Sequence, residues 1–529
     1  MANRPRALTS GLAGIALAGL LPATAHALEE TDSADIGRPL FEISLMTAGN
    51  SSSGTFAPYY IASNSDALVT QGQGIQEYLR AERPLLATGR FEYGFGAALL
   101  AGYTSDVDYR RWDASAHTFT ERGRHPGYVS LRELWAGVKY RSLFIYAGMK
   151  PVDEGLFNSS LGSGDLVMSR NARPIPQVRA GFIDFQDIPF TAGWVQIQGE
   201  LAYGKFMDSD WLKDHYAYYN SFITTGVYMH YSRLYLRTGP DRPFSVTVGM
   251  QQAAQFGGDW QRYSQGVLQS SQKQPVRFKD FINALFPWTG GSSSTEGDKA
   301  YYSGNHLGSW DLMLSWRLPG GSTIRAYMQS PWEDGSGIGK LNGFDGVWGL
   351  EYRFAPSSKV LKTVLAEYID LTNQSGPMHW APGDFPGTTI PGEATGADDY
   401  YNNYMYNGWA NYGMAIGTPF TKSPIYNTDG YMRFTDNRVR GFQLGADGRI
   451  GSRVDWRALF SYRTSWGTPF LPAPEKRHDT SMMVEASYAV PGVPGLSVAG
   501  ALAFDAGSLY DDNFGALLKV KYLIPVHLK

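Results

Sequence analysis

A period-two alternation of apolar and polar residues recurs along this chain and restricts its fold more than any other feature. In residues 91–103, Glu92 and several glycines alternate with Phe91, Tyr93, Phe95, Ala97, Leu99, Ala101 and Tyr103. The same alternation returns in residues 310–318, 348–354, 454–463, 482–488 and 514–522. Because successive side chains of a β-strand point to opposite faces, the pattern predicts strands with one apolar and one polar face.

The length and the polar faces of these strands favour a membrane barrel over a soluble sandwich. Charged residues such as Asp311, Arg317, Glu351 and Arg353 alternate with the apolar set, and aromatic residues recur near the strand ends. A transmembrane barrel needs this arrangement, since its outer face meets lipid and its lumen is wet. A β-sandwich also alternates, but its strands are usually shorter. We therefore predict an all-β protein, a single transmembrane antiparallel β-barrel.

Connection lengths predict the number and direction of the strands. Short links that fit periplasmic turns lie at residues 87–89, 141–142, 187–192, 239–242, 319–321, 356–359, 451–452 and 491–495. Longer polar segments that fit extracellular loops lie at residues 49–74, 105–129, 150–176, 207–224, 252–307, 331–345, 372–437 and 465–480, and a shorter outer link lies at residues 506–511. Eight turns and nine outer links predict eighteen strands, with both ends of the barrel in the periplasm.

The N-terminus carries the marks of a secretory signal peptide. Arg4 and Arg6 precede an apolar run at residues 8–21, and Ala25-His26-Ala27 offers a cleavage site between small residues. A buried N-terminal helix is the alternative, but the three regions stand in the order of a signal. We predict a signal peptide at residues 1–27, a barrel at residues 28–529, and the Gram-negative outer membrane as the destination.

Composition and motif content argue against an enzyme and against nucleic-acid binding. The chain has no Cys, which excludes thiolate metal sites and thiol nucleophiles, and its net charge of −3 provides no basic field for nucleic acid. We find no serine-nucleophile, zinc-helix or phosphate-loop motif, and we predict no catalytic residue, no metal and no cofactor. Asp398, Asp399 and Glu393 could bind calcium, but the spacing favours a solvated loop.

The predicted outer loops mix aromatic residues with amides and acids. The densest run is residues 398–409, and Trp260, Trp288, Trp332 and Trp380 lie in other outer loops. Flat rings beside polar groups suit sugars, which have apolar faces and a rim of hydroxyls. Loop packing and interfacial girdles also use aromatic residues, so both interpretations stay open. The candidate carbohydrate contacts are Asp398, Asp399, Tyr400, Tyr401, Asn402, Asn403, Tyr404, Trp409, Trp332 and Trp380.

Three further segments bear on the interior of the barrel. Residues 161–176 predict a polar outer loop that ends at Pro174 and Pro176, which cannot donate to a sheet. Residues 275–286 have apolar positions near helical spacing, so a loop helix either folds inward to cap the pore or packs on other loops. We expect Gln196, Gln198, Glu200, Asp311, Arg317, Arg325, Glu351 and Arg353 to point inward, where close opposite charges could cross-link the wall of the lumen.

A series of short motifs lies in order over nearly the whole mature chain. They occupy residues 169–176, 188–194, 204–208, 255–258, 304–311, 345–352, 374–377, 399–408, 437–440 and 507–515. In these segments the chain resembles the capsule-assembly Wzi family of outer-membrane proteins. The resemblance implies an eighteen-stranded barrel whose relatives bind capsular polysaccharide and help hold it at the cell surface. It places Asn171, Arg173, Asn305 and His306 in family motifs, as further candidate contacts, and supplies no catalytic residue.

One departure separates this chain from the enteric members of that family. Those relatives carry a helical bundle ahead of the barrel, and residues 28–40 leave almost no room for one. The chain therefore looks more like the branch that lacks the bundle.

The leading hypothesis is a monomeric surface lectin that binds an exported capsular polysaccharide or exopolysaccharide. It would help that polymer attach to or assemble at the cell surface. Its partners would be extracellular polysaccharide and the bilayer of the outer membrane. The alternative is an outer-membrane porin for small saccharides or anions, which a strongly one-sign lumen would favour. An envelope enzyme is the third possibility, and it lacks a recognisable nucleophile or acid–base pair.

Overall fold

Eighteen antiparallel strands form one closed barrel in the computed structural model of the chain, which describes residues 39–123, 127–152, 156–286, 304–333, 335–376, 379–380, 394–395 and 398–527. The first nine strands are β1 Phe41–Phe56, β2 Gln71–Arg83, β3 Phe91–Thr104, β4 Gly127–Tyr140, β5 Leu143–Met149, β6 Gln177–Phe182 continued by Gln186–Asp187, β7 Val195–Lys205, β8 Tyr228–Thr238 and β9 Phe244–Phe256. The second nine are β10 Asn305–Arg317, β11 Thr323–Trp332, β12 Gly346–Arg353, β13 Leu361–Asp370, β14 Val439–Ile450, β15 Val454–Gly467, β16 Pro472–Ala489, β17 Leu496–Gly507 and β18 Asn513–Val526. The predicted signal peptide lies outside the described residues.

Every barrel strand pairs with its neighbours in sequence, and β1 pairs with β18 to close the ring. The closing register runs from Phe41 opposite Val526 to Ser52 opposite Gly515. Closure satisfies the backbone groups that an open sheet would expose to lipid. The alternation predicted from the sequence is observed: Leu234, Val248 and Leu502 are exposed on the outer wall, and the polar positions between such residues face the lumen.

The predicted turns and loops are observed in order, and several strands extend further into the predicted loops, with the largest differences at β1 and β16. β15 and β16 continue to the pair Gly467 and Pro472, so residues 472–480 are strand and the outer connection is only residues 468–471. β1 continues through its three serines to Phe56. Both errors have one cause, because strand ends that rise above the bilayer are polar on both faces and lose the alternation.

Loop 1 (57–70) reaches across the seam between the first and last strands. Its short helix α1 (Tyr59–Ala62) is buried, and the Tyr59 backbone N–H donates to an Asp505 carboxylate oxygen on β17 at 2.8 Å. Asn513 of β18 donates to the Phe56 carbonyl oxygen at 2.9 Å and accepts from the Gly54 backbone N–H at 2.9 Å. The outer end of the seam is therefore fastened by side chains as well as by the sheet.

Two outer loops fold into the lumen and pack there as a plug. They are the described residues of loop 3 (150–176) and of loop 7 (371–438), and loop 4 (206–227) with its helix α2 (Ser209–His215) supports them from the outer side. The plug buries side chains such as Leu161, Trp409, Phe420 and Phe434 almost completely. Loop 3 was predicted as a polar outer loop. It lies inside the barrel because its apolar residues, such as Leu166 and Val167, have partners there.

The predicted loop helix is observed as α3 (Phe278–Leu285) in loop 5 (257–304), but neither predicted location is correct. Phe281 and Ala284 pack against Phe256 and Ala254 of β9, on the outer wall of the barrel. A second short helix, α4 (Gly335–Ile338), lies in loop 6 (333–345). Among the described residues, no helix has the length and apolar character to span a bilayer.

Candidate functional site: the loop plug and the outer face

Loop 3 is held in the lumen by polar side chains that point inward from the barrel wall. Gln251 and Gln329 donate to one oxygen of Asp165 at 2.7 and 2.8 Å. The other oxygen accepts from the Val167 and Met168 backbone N–H groups at 2.7 and 2.9 Å. Burial raises the pKa of the Asp165 carboxyl, and these four donors compensate for its lost hydration. Asp165 thus fixes the turn of loop 3 and its position in the barrel.

Further wall residues continue this attachment along loop 3. Glu367 accepts from the Ser163 backbone N–H at 2.6 Å, and Gln443 donates to the Leu161 carbonyl oxygen at 2.6 Å. These residues come from β13 and β14, whereas Gln251 and Gln329 come from β9 and β11. Loop 3 is therefore tied to the wall on several sides, which makes it a cross-brace of the lumen.

Loop 7 packs on loop 3 through aromatic residues that the sequence marked as carbohydrate contacts. The Trp409 indole N–H donates to the Val167 carbonyl oxygen at 2.7 Å, and the Tyr401 hydroxyl donates to that of Leu166 at 2.6 Å. Trp409 is 0% exposed and Tyr401 is 4% exposed. A ring without exposed area cannot stack on a sugar unless the plug opens. In this structure both rings bind loop 3.

Tyr400 has the same role toward loop 6. Its hydroxyl accepts from Asn342 at 3.0 Å and donates to an Asp345 carboxylate oxygen at 3.0 Å. Asp345 also accepts from the Gln374 backbone N–H at 2.7 Å, and burial raises the pKa of its carboxyl to about 6. Tyr400 therefore joins loops 6 and 7 inside the barrel.

The predicted amide residues join loops to each other and to the wall. Asn171 donates to the Ala415 carbonyl oxygen at 3.0 Å, which links loops 3 and 7. Asn305 of β10 accepts from Asn403 at 3.2 Å and donates to Gln255 of β9 at 2.9 Å. Asn402 donates to the Phe434 carbonyl oxygen at 2.9 Å within loop 7. These contacts bring most of the predicted set into one interior network.

The predicted acidic pair, Asp398 and Asp399, forms hydrogen bonds with other residues of loop 7. Asp399 accepts from Asn437 at 2.6 Å and from Asn402 at 3.1 Å, while Asp398 accepts from the Ser375 hydroxyl at 2.6 Å. Burial raises the pKa of the Asp399 carboxyl. Glu393, the third member of the calcium hypothesis, lies outside the described residues.

The other predicted residues are distributed around this network. The Arg173 guanidinium lies 4.2 Å from the Tyr412 ring centroid, which is a contact between loops 3 and 7. Trp332 is buried beneath Gly337 of α4, and His306 is buried on the lipid-facing side of β10. The Trp380 backbone pairs with that of Ala394 in a two-residue antiparallel ladder of loop 7. Tyr404 is 46% exposed, so it keeps a ring face open to solvent.

A cluster of aromatic residues that the sequence analysis did not predict lies on the extracellular side, between loop 2 and loop 4. Trp112 and Phe119 occupy the two strands of the loop 2 hairpin (Tyr109–Asp113 and Thr118–Arg122), and Tyr219 comes from loop 4. The Trp112 and Tyr219 ring centroids are 4.6 Å apart, and those of Phe119 and Tyr219 are 4.9 Å apart. All three rings are only half-buried. We call these three residues, with Tyr218, the outer aromatic cluster.

Arginine side chains surround the outer aromatic cluster. The Arg110 guanidinium lies 4.5 Å from the Phe119 ring centroid, and that of Arg111 lies 4.9 Å from the Tyr218 centroid. Arg122 forms an ion pair with Asp214 at 2.8 Å. Aromatic faces beside hydrogen-bond donors form the kind of surface that binds sugar rings. In the sequence, this cluster is marked only by two short aromatic segments, residues 109–112 and 216–219, which come together when the protein folds.

Opposite charges in the lumen pair between neighbouring strands of the wall, at the predicted Glu200 and also at Glu485, which the sequence did not single out. Glu200 of β7 accepts from the Arg179 Nε at 2.9 Å and pairs with Arg233 of β8 at 2.6 Å. Glu485 of β16 pairs with Arg457 at 2.6 Å and with Lys519 at 3.3 Å. Charges of both signs therefore bind each other on the wall, and neither set forms a ring of one sign.

Comparison with known proteins reveals similarity in structure but not in sequence. No protein-family model matches the chain, and no curated protein matches it. Among solved structures it is similar to Wzi of Escherichia coli, described as a carbohydrate-binding β-barrel of the outer membrane involved in group 1 capsule assembly, with a TM-score of 0.54 and 12% identity over 93% of this chain and 85% of that one. This similarity supports the fold of an outer-membrane barrel.

Two outer-membrane proteins of Pseudomonas aeruginosa are more distant. OccK9 (OpdG) has a TM-score of 0.42 and 12% identity, over 92% of this chain and 99% of that one. OprD has a TM-score of 0.36 and 9% identity, over 93% of this chain and 97% of that one.

Proposed function

We propose that this protein is a surface lectin of the outer membrane that binds an exported polysaccharide and helps it attach or assemble at the cell surface. The single observation that carries the proposal is the plug. Loops 3 and 7 pack across the lumen with buried aromatic residues, and the cavity between Phe206, Asp208 and Gly413 has a volume of only about 20 Å³, which is room for about one water molecule. A barrel with a filled lumen is better suited to bind a ligand with its extracellular loops than to conduct a ligand through the pore.

The outer aromatic cluster is the proposed sugar-binding surface, together with the exposed face of Tyr404. The rings stand above the plug on loops that are tied to the barrel, so the surface is preorganised and binding orders few side chains. The carbohydrate binding described for the Wzi barrel agrees with this proposal. Buried members of the predicted site, such as Trp409, then act by holding the outer loops in place.

Replacing a cluster ring by alanine should weaken binding while the barrel stays folded. For Tyr219→Ala and Trp112→Ala we expect a loss of about 0.5–1.5 kcal/mol per ring, which corresponds to a rise in Kd of about two- to tenfold. Binding can be measured by calorimetry with polysaccharide purified from the source strain. Phe190→Ala is the matched control, because Phe190 is fully exposed on a periplasmic turn. Unchanged binding in both cluster variants and in Tyr404→Ala would reject this surface.

The function itself is tested in cells. In a strain that lacks the protein, we expect the total polysaccharide to stay constant while the released share increases. An unchanged division between bound and released polymer would contradict a role in attachment. Steady conductance of the wild-type protein in planar bilayers would then support the alternative, a diffusion channel for small saccharides or anions.

A further inference from the structure

The lipid-facing side of β2 carries an acidic residue within the apolar belt of the barrel. Glu77 is exposed between Ile75 and Leu79, which are 56% and 45% exposed on the outer wall. Its register partner on β3 is Ala101, and the belt on that strand continues outward to the exposed Tyr103. An ionisable side chain that faces lipid is costly, so it marks a contact with a hydrogen-bond donor rather than with plain hydrocarbon.

The adjoining face of β1 is polar as well, and together the two strands form a polar stripe. Thr47 lies opposite Glu77 and donates to its two carboxylate oxygens at 2.8 and 2.9 Å. Closer to the extracellular end, Ser51 and its register partner Gln73 are both exposed. On the other side of β1, however, β18 stays apolar beyond the level of Ser51 as far as Phe514, which is 54% exposed. The polar stripe therefore lies inside the belt and not beyond its edge.

A trough in the outer wall runs beside the polar stripe. Gly49 of β1 and Gly500 of β17 are the register partners of Leu518 of β18, one on each side. Apart from adjoining residues of the chain, no described atom lies within 4 Å of the position that a Cβ would take at either glycine. The trough has a volume of about 560 Å³, and Ile75, Leu502 and Leu518 supply its apolar side chains. An apolar trough that opens to the bilayer fits an acyl chain.

We propose that the trough and the polar stripe together bind one lipopolysaccharide molecule of the outer leaflet. One acyl chain lies in the trough against Leu518 and Leu502. Hydroxyl and amide groups at the head of the acyl chains donate to Glu77 and form hydrogen bonds with Ser51 and Gln73.

Hydrogen-bonding capacity selects this occupant. Among the described residues, Thr47 is the only side chain that donates to Glu77, whereas a carboxylate can accept about four hydrogen bonds. The hydroxylated, amide-linked chains of lipopolysaccharide carry donors near their sugar, and the plain ester-linked chains of a phospholipid do not. A second copy of the chain fits less well, because a two-fold contact would place two Glu77 carboxylates against each other.

Native mass spectrometry with lipopolysaccharide and, in parallel, with phosphatidylglycerol tests the site. Gly500→Leu should fill the trough without a clash, because the space outside this glycine is open. Glu77→Leu removes the acceptor. We expect each variant to retain at least threefold less lipopolysaccharide than the wild type. The matched control is Ala136→Leu, which adds the same side chain at an exposed lipid-facing position of β4, away from the trough.

Three results would overturn the proposal. The first is retention of lipopolysaccharide by Gly500→Leu or Glu77→Leu that equals the wild-type value. The second is equal retention of phosphatidylglycerol by the wild type, since the apolar trough alone would then account for binding. The third is a wild-type dimer that Glu77→Leu abolishes, because a second copy would then cover this face. The heat-dependent shift in gel mobility verifies that each variant is a folded barrel.

Discussion

Trp409 joins the two halves of the plug through one buried ring and one hydrogen bond. The ring lies beside Phe206 of loop 4, and its N–H donates into loop 3. A large aromatic side chain in such a position contributes more than its hydrogen bond, because its removal leaves a cavity. Trp409 thus holds three loops at once.

Replacing Trp409 by alanine should loosen the plug and leave the barrel closed. We expect the docking of loop 3 to weaken by about 3–5 kcal/mol. Amide hydrogen exchange over residues 161–170 should become faster, while the heat-dependent shift in gel mobility of a folded barrel should persist. Phe190→Ala again serves as the control. Exchange rates like those of the wild type would contradict this role of the ring.

Asp208 makes the docking of loop 4 sensitive to pH. Its carboxylate accepts from the Tyr412 backbone N–H at 3.2 Å, and burial raises its pKa to about 6. A carboxyl with a raised pKa binds its proton more tightly in the docked state than in the undocked state. Docking is therefore most favourable below about pH 4 and weakens as the pH rises through about 6.

The variant Asp208→Asn should remove this pH dependence. For the wild type we expect the protection of residues 209–215 against hydrogen exchange to fall between pH 5 and pH 7.5, after correction for the intrinsic exchange rate. The full penalty of ionisation is at most about 3 kcal/mol. The variant should lose much less protection over this interval. An identical loss in both proteins would exclude Asp208 as the group responsible.

Loop 3 braces the lumen of the barrel. It is bound to inward side chains of β9, β11, β13 and β14, and loop 7 rests on it. Three cavities lined by described residues of loops 3, 4 and 7 and of the wall have volumes of about 10–20 Å³ each. The lumen is consequently occupied by the chain's own loops.

Removing this element should convert the barrel into a channel. We expect a variant in which a short Gly-Ser linker replaces residues 158–172 to conduct ions in planar bilayers more strongly than the wild type. Replacement of residues 491–493, which are exposed on a periplasmic turn, by a linker of equal length is a control outside the plug. If the loop 3 variant conducts no better than the wild type, loop 7 alone fills the lumen.

The whole molecule depends on the pairing of its first and last strands. A chain that lacks residues 513–529 would leave β1 and β17 with unpaired edges in lipid. We expect this truncation to abolish the compact form seen on gels without heating. Deletion of residues 527–529 alone should have no such effect, because β18 ends at Val526. A folded barrel in the first variant would mean that the ring closes without β18.

The barrel was predictable from the sequence because alternation and turn length are local signals. The apolar–polar alternation of residues 91–103, for example, can be recognised without knowledge of the rest of the chain. The location of the loops was not predictable in this way. Trp409 and Trp112 are both aromatic residues in polar loops, yet one is buried and the other is half-exposed. Which loop meets which is decided by contacts between residues far apart in the chain, such as Val167 with Trp409.

The hydrogen bonds that Tyr59 and Asn513 make at the seam also bear on how long the barrel stays folded. To open the ring there, Tyr59 must leave Asp505, and Asn513 must leave Gly54 and Phe56, before the sheet can separate. These side-chain bonds join the two ends of the chain, so they form only after the final strand has been added. They therefore act mainly on the rate of unfolding and little on the rate of folding. The closed barrel would be long-lived because it unfolds slowly.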